Sequence, residues 1–353
     1  MQRSWKNART LSHSSARRRG VGYASLLLAN KYSLLFLALS SCFNASVTAK
    51  TYAVVGLGEL LWDVFPEGNQ LGGAPANFAY MTNLLGDAGV VASRVGDDDL
   101  GRAATQRLER LRLRASAVQL DPVHPTGVVK VDVDPSGQPT FHIAQNVAWD
   151  FFEWTPAWRS LAESADAVCF GSLAQRSPQS RQTIRSFLSA LRPGTTRVFD
   201  VNLRQSFYSA QVLEESSQLA DVIKVNHDEL PVVAKLLGLP FIYDEMRAAQ
   251  WLRAKYNSKL VCITRGAKGS LVVSETETSE HPGYRVHVAD TVGAGDAFTA
   301  ALVYHHLRHA SVSTLNEAAN RMGAWVASQT GATPAPDEFR LEKVRSAVGA
   351  EEF

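Results

Sequence analysis

The sequence predicts an α/β fold, a three-layer α/β/α body around a mostly parallel central sheet with a small β lid. Three observations carry that expectation. From residue 51 onward, β-branched runs alternate with segments of helical apolar spacing. One stretch, Thr126 to Asn146, breaks this rhythm by alternating apolar and polar residues. The polar clusters fall where strands end or helices begin, which is where open α/β sheets bind ligands.

The elements follow in order. "YAVVGLGE" reads as a strand, and "APANFAYMTNLLG" as a helix with a glycine stop. "GVVASRVG" is the next strand and "DLGRAATQRLERLRL" the next helix. "TGVVKVDVDPSGQPTFHIAQN" reads as an antiparallel hairpin around DPSGQP, with one wet face. With residues of about 60–72 it is expected to form a lid, from about 124 to 146. Then "DAVCFGS" precedes "SRQTIRSFLSALRPG", "TRVFDVNLR" precedes "SAQVLEESSQLA", and "DVIKVN" precedes "HDELPVVAKLLG". "KLVCITRG" and "GSLVVSE" come before the last helices. Strands alternating with helices of this length imply βαβ units and a parallel sheet covered on both faces.

Size and composition bound the function. The chain has 353 residues and 45% hydrophobic content, enough for a large core. Its formal charge of +2 comes from the first fifty residues, which hold eight Lys/Arg and no acid; the remainder has 28 basic against 34 acidic residues. A mildly acidic body is no nucleic-acid footprint. Cys169 and Cys262 lie in apolar runs and read as buried strand residues; with Cys42 they form neither a disulfide framework nor a metal spacing. Residues 1–50 are a leader or extension, set apart from the domain at 51–353. They are basic and Ser-rich, with the apolar stretch "YSLLFLALSSCF" and a "VTA" resembling a cleavage site. A transit peptide, a secretory signal or anchor, and a wrongly assigned start are the three readings.

The richest cluster is "DTVGAGDAF", Asp290 to Phe298. Small residues let the Ala294 and Gly295 amides turn toward one point, which with the following helix start makes a pocket suited to phosphate. Asp296 would then lie beside an anion. Its work would be accepting a proton from an attacking hydroxyl; as a plain alternative it is a first-turn acid. The loop is not a dinucleotide fingerprint, because the third glycine position falls on Phe298; Gly56-Leu57-Gly58 likewise lacks its third glycine. An NAD-dependent oxidoreductase is therefore disfavoured.

These motifs resemble the ribokinase-like, or PfkB, carbohydrate kinases. "DTVGAGDAF" is similar to their C-terminal signature, and "QLGGAPANFAYMTNLLG" with "SRVGDDDLGR" to their N-terminal one. "DVNLR", "KVNHDE" and "TRGAKGS" stand in the expected order between them, and GGAPAN, DVNLR and GAGDAF look most like the bacterial fructokinase branch. The resemblance implies a ribokinase-like fold and an ATP-dependent sugar kinase converting D-fructose to fructose 6-phosphate. 2-Keto-3-deoxygluconate, ribose or a nucleoside are the other acceptors in the same class. A catalytically silent regulatory relative is the alternative of a different class, disfavoured because Asp296, the GAG loop and the N-x-x-E are intact.

The implied roles are these. Asp296 is the base, and Gly293, Ala294 and Gly295 form the anion hole. Asp63, Gly72, Gly73, Asn77, Asn202 and Arg204 bind the sugar. Lys224, Asn226, Thr264, Arg265, Gly266 and Gly269 lie along ATP. Glu229 holds Mg²⁺ through water, and Asp290, Val292 and Gly331 bind a monovalent cation, K⁺. The partners implied are sugar and ATP, with no nucleic acid, no membrane in the mature form, and room for a homodimer through the lid. The location implied is cytoplasmic or, after leader cleavage, organellar, rather than secretory. His305, His306 and His309 lack a further ligand and read as ordinary helix residues. The aromatics of "WDFFEWTPAW" are expected to seal the lid hinge rather than line the sugar pocket.

Overall fold

The computed structural model describes residues 50–65, 68–133, 139–240 and 244–347. The leader up to residue 49, Cys42 and most of the DPSGQP turn lie outside the described residues. The strands are β1 (Ala53–Leu57), β2 (Leu61–Phe65), β3 (Gly68–Gly72), β4 (Ala88–Gly96), β5 (Val118–Asp121), β6 (Gly127–Val133), β7 (Pro139–Ile143), β8 (Ala167–Phe170), β9 (Thr196–Asp200), β10 (Val222–Asn226), β11 (Leu260–Thr264), β12 (Ser270–Val273) and β13 (Thr278–His281). The helices are α1 (Ala74–Leu84), α2 (Asp99–Arg110), α3 (Pro156–Ser164), α4 (Pro178–Ser189), α5 (Ala210–Leu219), α6 (Leu230–Leu237), α7 (Glu245–Tyr256), α8 (Ala294–His306), α9 (Val312–Ala327) and α10 (Glu338–Ser346).

Nine strands form one sheet in the order β13-β12-β11-β10-β9-β8-β1-β4-β5. From β11 to β5 every pairing is parallel; β12 and β13 add an antiparallel edge. The strands are apolar on both faces because helices cover both, and alternate residues feed alternate cores. Val54, Cys169 and Cys262 pack toward Phe78, Leu302 and Trp325, while Val55, Phe170 and Ile263 pack toward Trp158, Phe187 and Leu252. Both cysteines are thus buried strand residues. Burying one such large apolar side chain contributes about 1.5–3 kcal/mol.

The chain turns back at β1. It lays β4 on one side of β1 and β8 on the other, so the strand order reverses between β1 and β8. A crevice at the carboxyl ends of those strands is the place such sheets offer a ligand.

A second sheet has the order β3-β2-β6-β7, with β6 and β7 paired as the antiparallel hairpin. Trp149, fully buried, lies against Gly127 at the start of β6, and the Arg176 guanidinium stacks 3.9 Å above its ring. Arg176 also binds Asp150 at 2.8 Å. Trp149, Phe152 and Trp158 are buried core residues, not free walls of a pocket. Among the described residues no helix is long and apolar enough to cross a membrane.

Candidate active site

Most helices here start on a side chain that caps an orphan amide: Asp98 for α2, Thr155 for α3, Ser209 for α5, Asp244 for α7. The two helices that open into the crevice do not. α1 begins at Gly73 with φ 112° and α8 at Gly293 with φ 78°, and neither has a side-chain cap. Positive φ suits glycine, and the packing excludes anything larger. A Cβ on Gly293 would stand 2.6 Å from the Ala332 side chain, and one on Gly73 would stand 2.4 Å from the Glu59 carbonyl. The first-turn amides of α8 therefore have no partner within their helix. The Ala294 amide is turned toward the Thr291 carbonyl at 3.3 Å, so within the predicted anion hole Gly295 keeps the freer donor, and the Asp296 amide, outside that prediction, follows it in the chain. A Cβ on Gly295 would lie 3.5 Å from Lys224 Nζ, which sets that ammonium beside the loop.

Asp296 stands in the first turn of α8, facing α1. Its Oδ2 accepts a hydrogen bond from Asn77 Nδ2 at 2.9 Å. Burial, and then the Asp200 carboxylate, push its pKa up to about 6. The Asn77 bond, Lys224 and Arg204 pull the other way but do not cancel burial. Asp200 and Lys224 are register partners on β9 and β10, and Lys224 Nζ donates to both Asp200 oxygens at 2.9 Å. Burial alone would lower Lys224, but Asp200, Glu229 and Asp296 outweigh it and hold the lysine above its usual value. Thr299, one turn after Asp296, reaches Asp200 Oδ2 at 3.0 Å and ties α8 to β9.

Asp63 stands on β2, where burial pushes its pKa up to about 6 against the opposing pull of Arg204. Gly72 makes room for it: a Cβ there would stand 2.3 Å from Asp63 Oδ2. Arg204 is exposed, and its charge reaches Glu59, Asp63 and Asp296 together. Asn202 lines the crevice between α1 and β8 with Glu59, Phe170, Ser172 and Asp296. Of the predicted sugar strip, Asn202 lines this crevice, Asn77 reaches Asp296 in it, and the charge of Arg204 acts on both Asp63 and Asp296.

Glu229 is buried, and both its oxygens accept backbone amides: Leu203 at 2.8 Å and Asn226 at 2.9 Å. It clamps the loops after β9 and β10 and keeps a spare lone pair on each oxygen. Asp290 gathers the predicted cation loop: its carboxylate accepts the Val292 amide at 3.0 Å and the Gly331 amide at 3.1 Å. In the predicted nucleotide strip, Thr264 ends β11 beside Asn226, and Gly266 and Gly269 follow with positive φ. Arg265 belongs to the same predicted strip, and its side chain has partners of its own. Its guanidinium is held by Glu245 and Glu280, so it braces α7 against β13.

Sequence reasoning did not single out Glu59, Asp200 or Thr299. Burial pushes Glu59 up to about 7. Asp200 was visible as the first residue of DVNLR, but its partner Lys224 lies on the next strand, and pairing needs the register. His305 donates from Nε2 to the Val344 carbonyl at 2.7 Å and joins α8 to α10; among the described residues no group of His, Cys, Asp and Glu could hold a metal by itself.

The crevice thus sets an acid of raised proton affinity beside free amides and an ammonium, facing a strip of acids, amides and an arginine. That arrangement can take a proton from a hydroxyl while an anion is bound next to it. Comparisons agree with this chemistry. The family model described as pfkB family carbohydrate kinase matches residues 44–338. A fructokinase of Vibrio alginolyticus is 31% identical over 304 residues, covering 80% of this chain and 96% of its own. An uncharacterized sugar kinase from Pyrococcus horikoshii, solved in complex with ATP, superposes with a TM-score of 0.70 at 26% identity over 84% of this chain and 99% of that one. A double mutant of the Vibrio cholerae fructokinase, with fructose, ADP and potassium ion bound, gives 0.69 at 27% identity over 83% of this chain and 98% of that one.

Proposed function

The chain belongs to the pfkB family of carbohydrate kinases, and from that premise we propose that it phosphorylates D-fructose at its 6-hydroxymethyl group with ATP. The observation that carries the reading is Asp296, held by Asn77 at the mouth of the α8 amides with its proton affinity raised. The fructokinases among its relatives support the choice of sugar. So does Ala74, which stands where a lysine is usual in ribokinases.

Asp63 and Asn77 grip sugar hydroxyls, since each hydroxyl needs an acceptor or donor at fixed geometry. Arg204 takes an oxygen of the keto sugar. The Asp296 carboxylate accepts the proton of the attacking hydroxyl. As the sugar oxygen bonds to the γ-phosphorus, the bond from phosphorus to the β,γ-bridging oxygen breaks and ADP leaves with that electron pair. The Gly295 and Asp296 amides and Lys224 hold the phosphoryl oxygens while charge shifts among them. A base near pH 6 is ionised at neutral pH yet still basic enough to accept a proton, which suits this role. Glu229 fits a hydrated Mg²⁺, because its spare lone pairs can accept from bound waters. Asp290, which gathers Val292 and Gly331 by their amides, would with the carbonyls of those residues offer oxygens to a monovalent cation. When bound, such ions would neutralise phosphate charge and stiffen the loop.

The test is an ATP-coupled assay over fructose, ribose, 2-keto-3-deoxygluconate and a nucleoside. Fructose is expected to give the largest kcat/KM. Rapid turnover of another acceptor with none of fructose rejects the sugar assignment and leaves the kinase.

A further inference from the structure

A second concavity of about 460 Å³ lies outside the catalytic crevice. That is the size of a small-molecule site rather than of a single ion. It opens along β3, the edge strand of the lid sheet, and is bounded by α2 and by the loop of residues 330–333. Trp62 and Leu71, register partners on β2 and β3, give it an apolar wall. Gln70 and Thr330 add an amide and a hydroxyl.

Its charge is one-sided. Arg107 and Arg110 stand one turn apart in the last turn of α2, and both line the cleft. None of the described residues lining it is acidic. Both arginines also suit a helix C-terminus, but that placement needs no cleft. Arg107 is half-buried and its charge is felt at the Tyr80 phenol; among the described residues neither arginine forms an ion pair.

The cleft is joined to the catalytic loop by direct bonds. A Cβ built on Gly331 would meet only the Gln70 carboxamide oxygen, at 3.8 Å, so the loop faces the edge strand across the cleft. The Gly331 amide is bound to Asp290, and the same carboxylate holds Val292, next to the glycine that starts α8. Trp62 is the chain neighbour of Asp63. A ligand here would touch the lid, α2 and the loop that sets the base.

We propose that this cleft is an effector site for a phosphorylated sugar, with Arg107 and Arg110 taking the phosphate and Gln70 and Thr330 the hydroxyls. Planar guanidinium groups match phosphate oxygens two at a time. The volume exceeds what inorganic phosphate needs, and an apolar wall with amides and hydroxyls suits a sugar body. The assignment rests on the kinase reading only in naming the sugar acceptor used to block the crevice.

The test uses the full chain with its crevice saturated by the acceptor that the sugar panel identifies and a non-hydrolysable ATP analogue. Fructose 6-phosphate, ribose 5-phosphate, ATP and inorganic phosphate are titrated by calorimetry into wild type and into the double variant Arg107→Gln, Arg110→Gln. The sugar phosphates are expected to bind wild type and to lose at least about tenfold in affinity in the variant. The variant should keep wild-type turnover when no phosphorylated sugar is added, and an unchanged Tm shows that it folds. Absence of binding to wild type, or equal affinity in the variant, overturns the site. ATP or inorganic phosphate binding as tightly as the sugar phosphates overturns the sugar assignment. Because turnover and second-site binding are read separately, a wrong acceptor and a wrong effector site give different results.

Discussion

Asp200 and Asp296 lie in the same crevice and differ in what holds them. Asp200 ends β9 and receives a lysine ammonium on both oxygens. Asp296 begins α8 and receives one neutral amide from Asn77. A carboxylate gripped on both oxygens by a buried cation serves the structure. One held by a neutral donor, with another carboxylate nearby, keeps a proton affinity near working pH and can serve chemistry. The first also tunes the second, since after burial the Asp200 charge contributes most to raising Asp296.

The contrast can be broken most strongly at Asp296. Asp296→Asn removes the base and should lower kcat by at least about a hundredfold, while calorimetry shows ATP binding nearly unchanged. Retained turnover would return Asp296 to the role of a first-turn acid. Next comes the paired acid. Lys224→Met leaves Asp200 buried without its cation and should cost about 3–5 kcal/mol of stability in denaturant unfolding; adding Asp200→Asn should restore much of it. A single variant as stable as wild type would show that the pair is not a structural clamp. The smallest effect is the one that sharpens the comparison. The ionised base is needed, so kcat should fall as pH drops through about 6. The Asn77 bond favours the ionised form, so Asn77→Ala should move that acid limb to higher pH. A limb that stays in place would mean that Asn77 positions the sugar alone.

Much of this was legible in one dimension. The alternation of β-branched runs and helical segments gave the layers, because parallel strands covered on both faces must be apolar throughout. The order of GGAPAN, DVNLR, NHDE, TRGAKG and GAGDAF put the polar residues at strand ends and helix starts. Arg265 shows the limit of that reading. It sits in a motif, yet its guanidinium binds Glu245 and Glu280, a choice made by the approach of α7 and β13. Glu59 shows the converse: nothing in "GELLWD" marks it as fully enclosed, and burial decides its proton affinity.

The sequence by itself determined which residues could do chemistry and in what order the elements run, since periodicity and turn residues are local properties of the chain. Only the tertiary structure decided which acid is paired and which is held open. Asp200 meets Lys224 through the register of β9 and β10, and Asp296 meets Asn77 through the packing of α8 on α1. It also decided that two arginines on the outer turn of α2 share a cleft with the loop behind Asp290. Contacts between distant segments set burial and charge, and no local pattern records them.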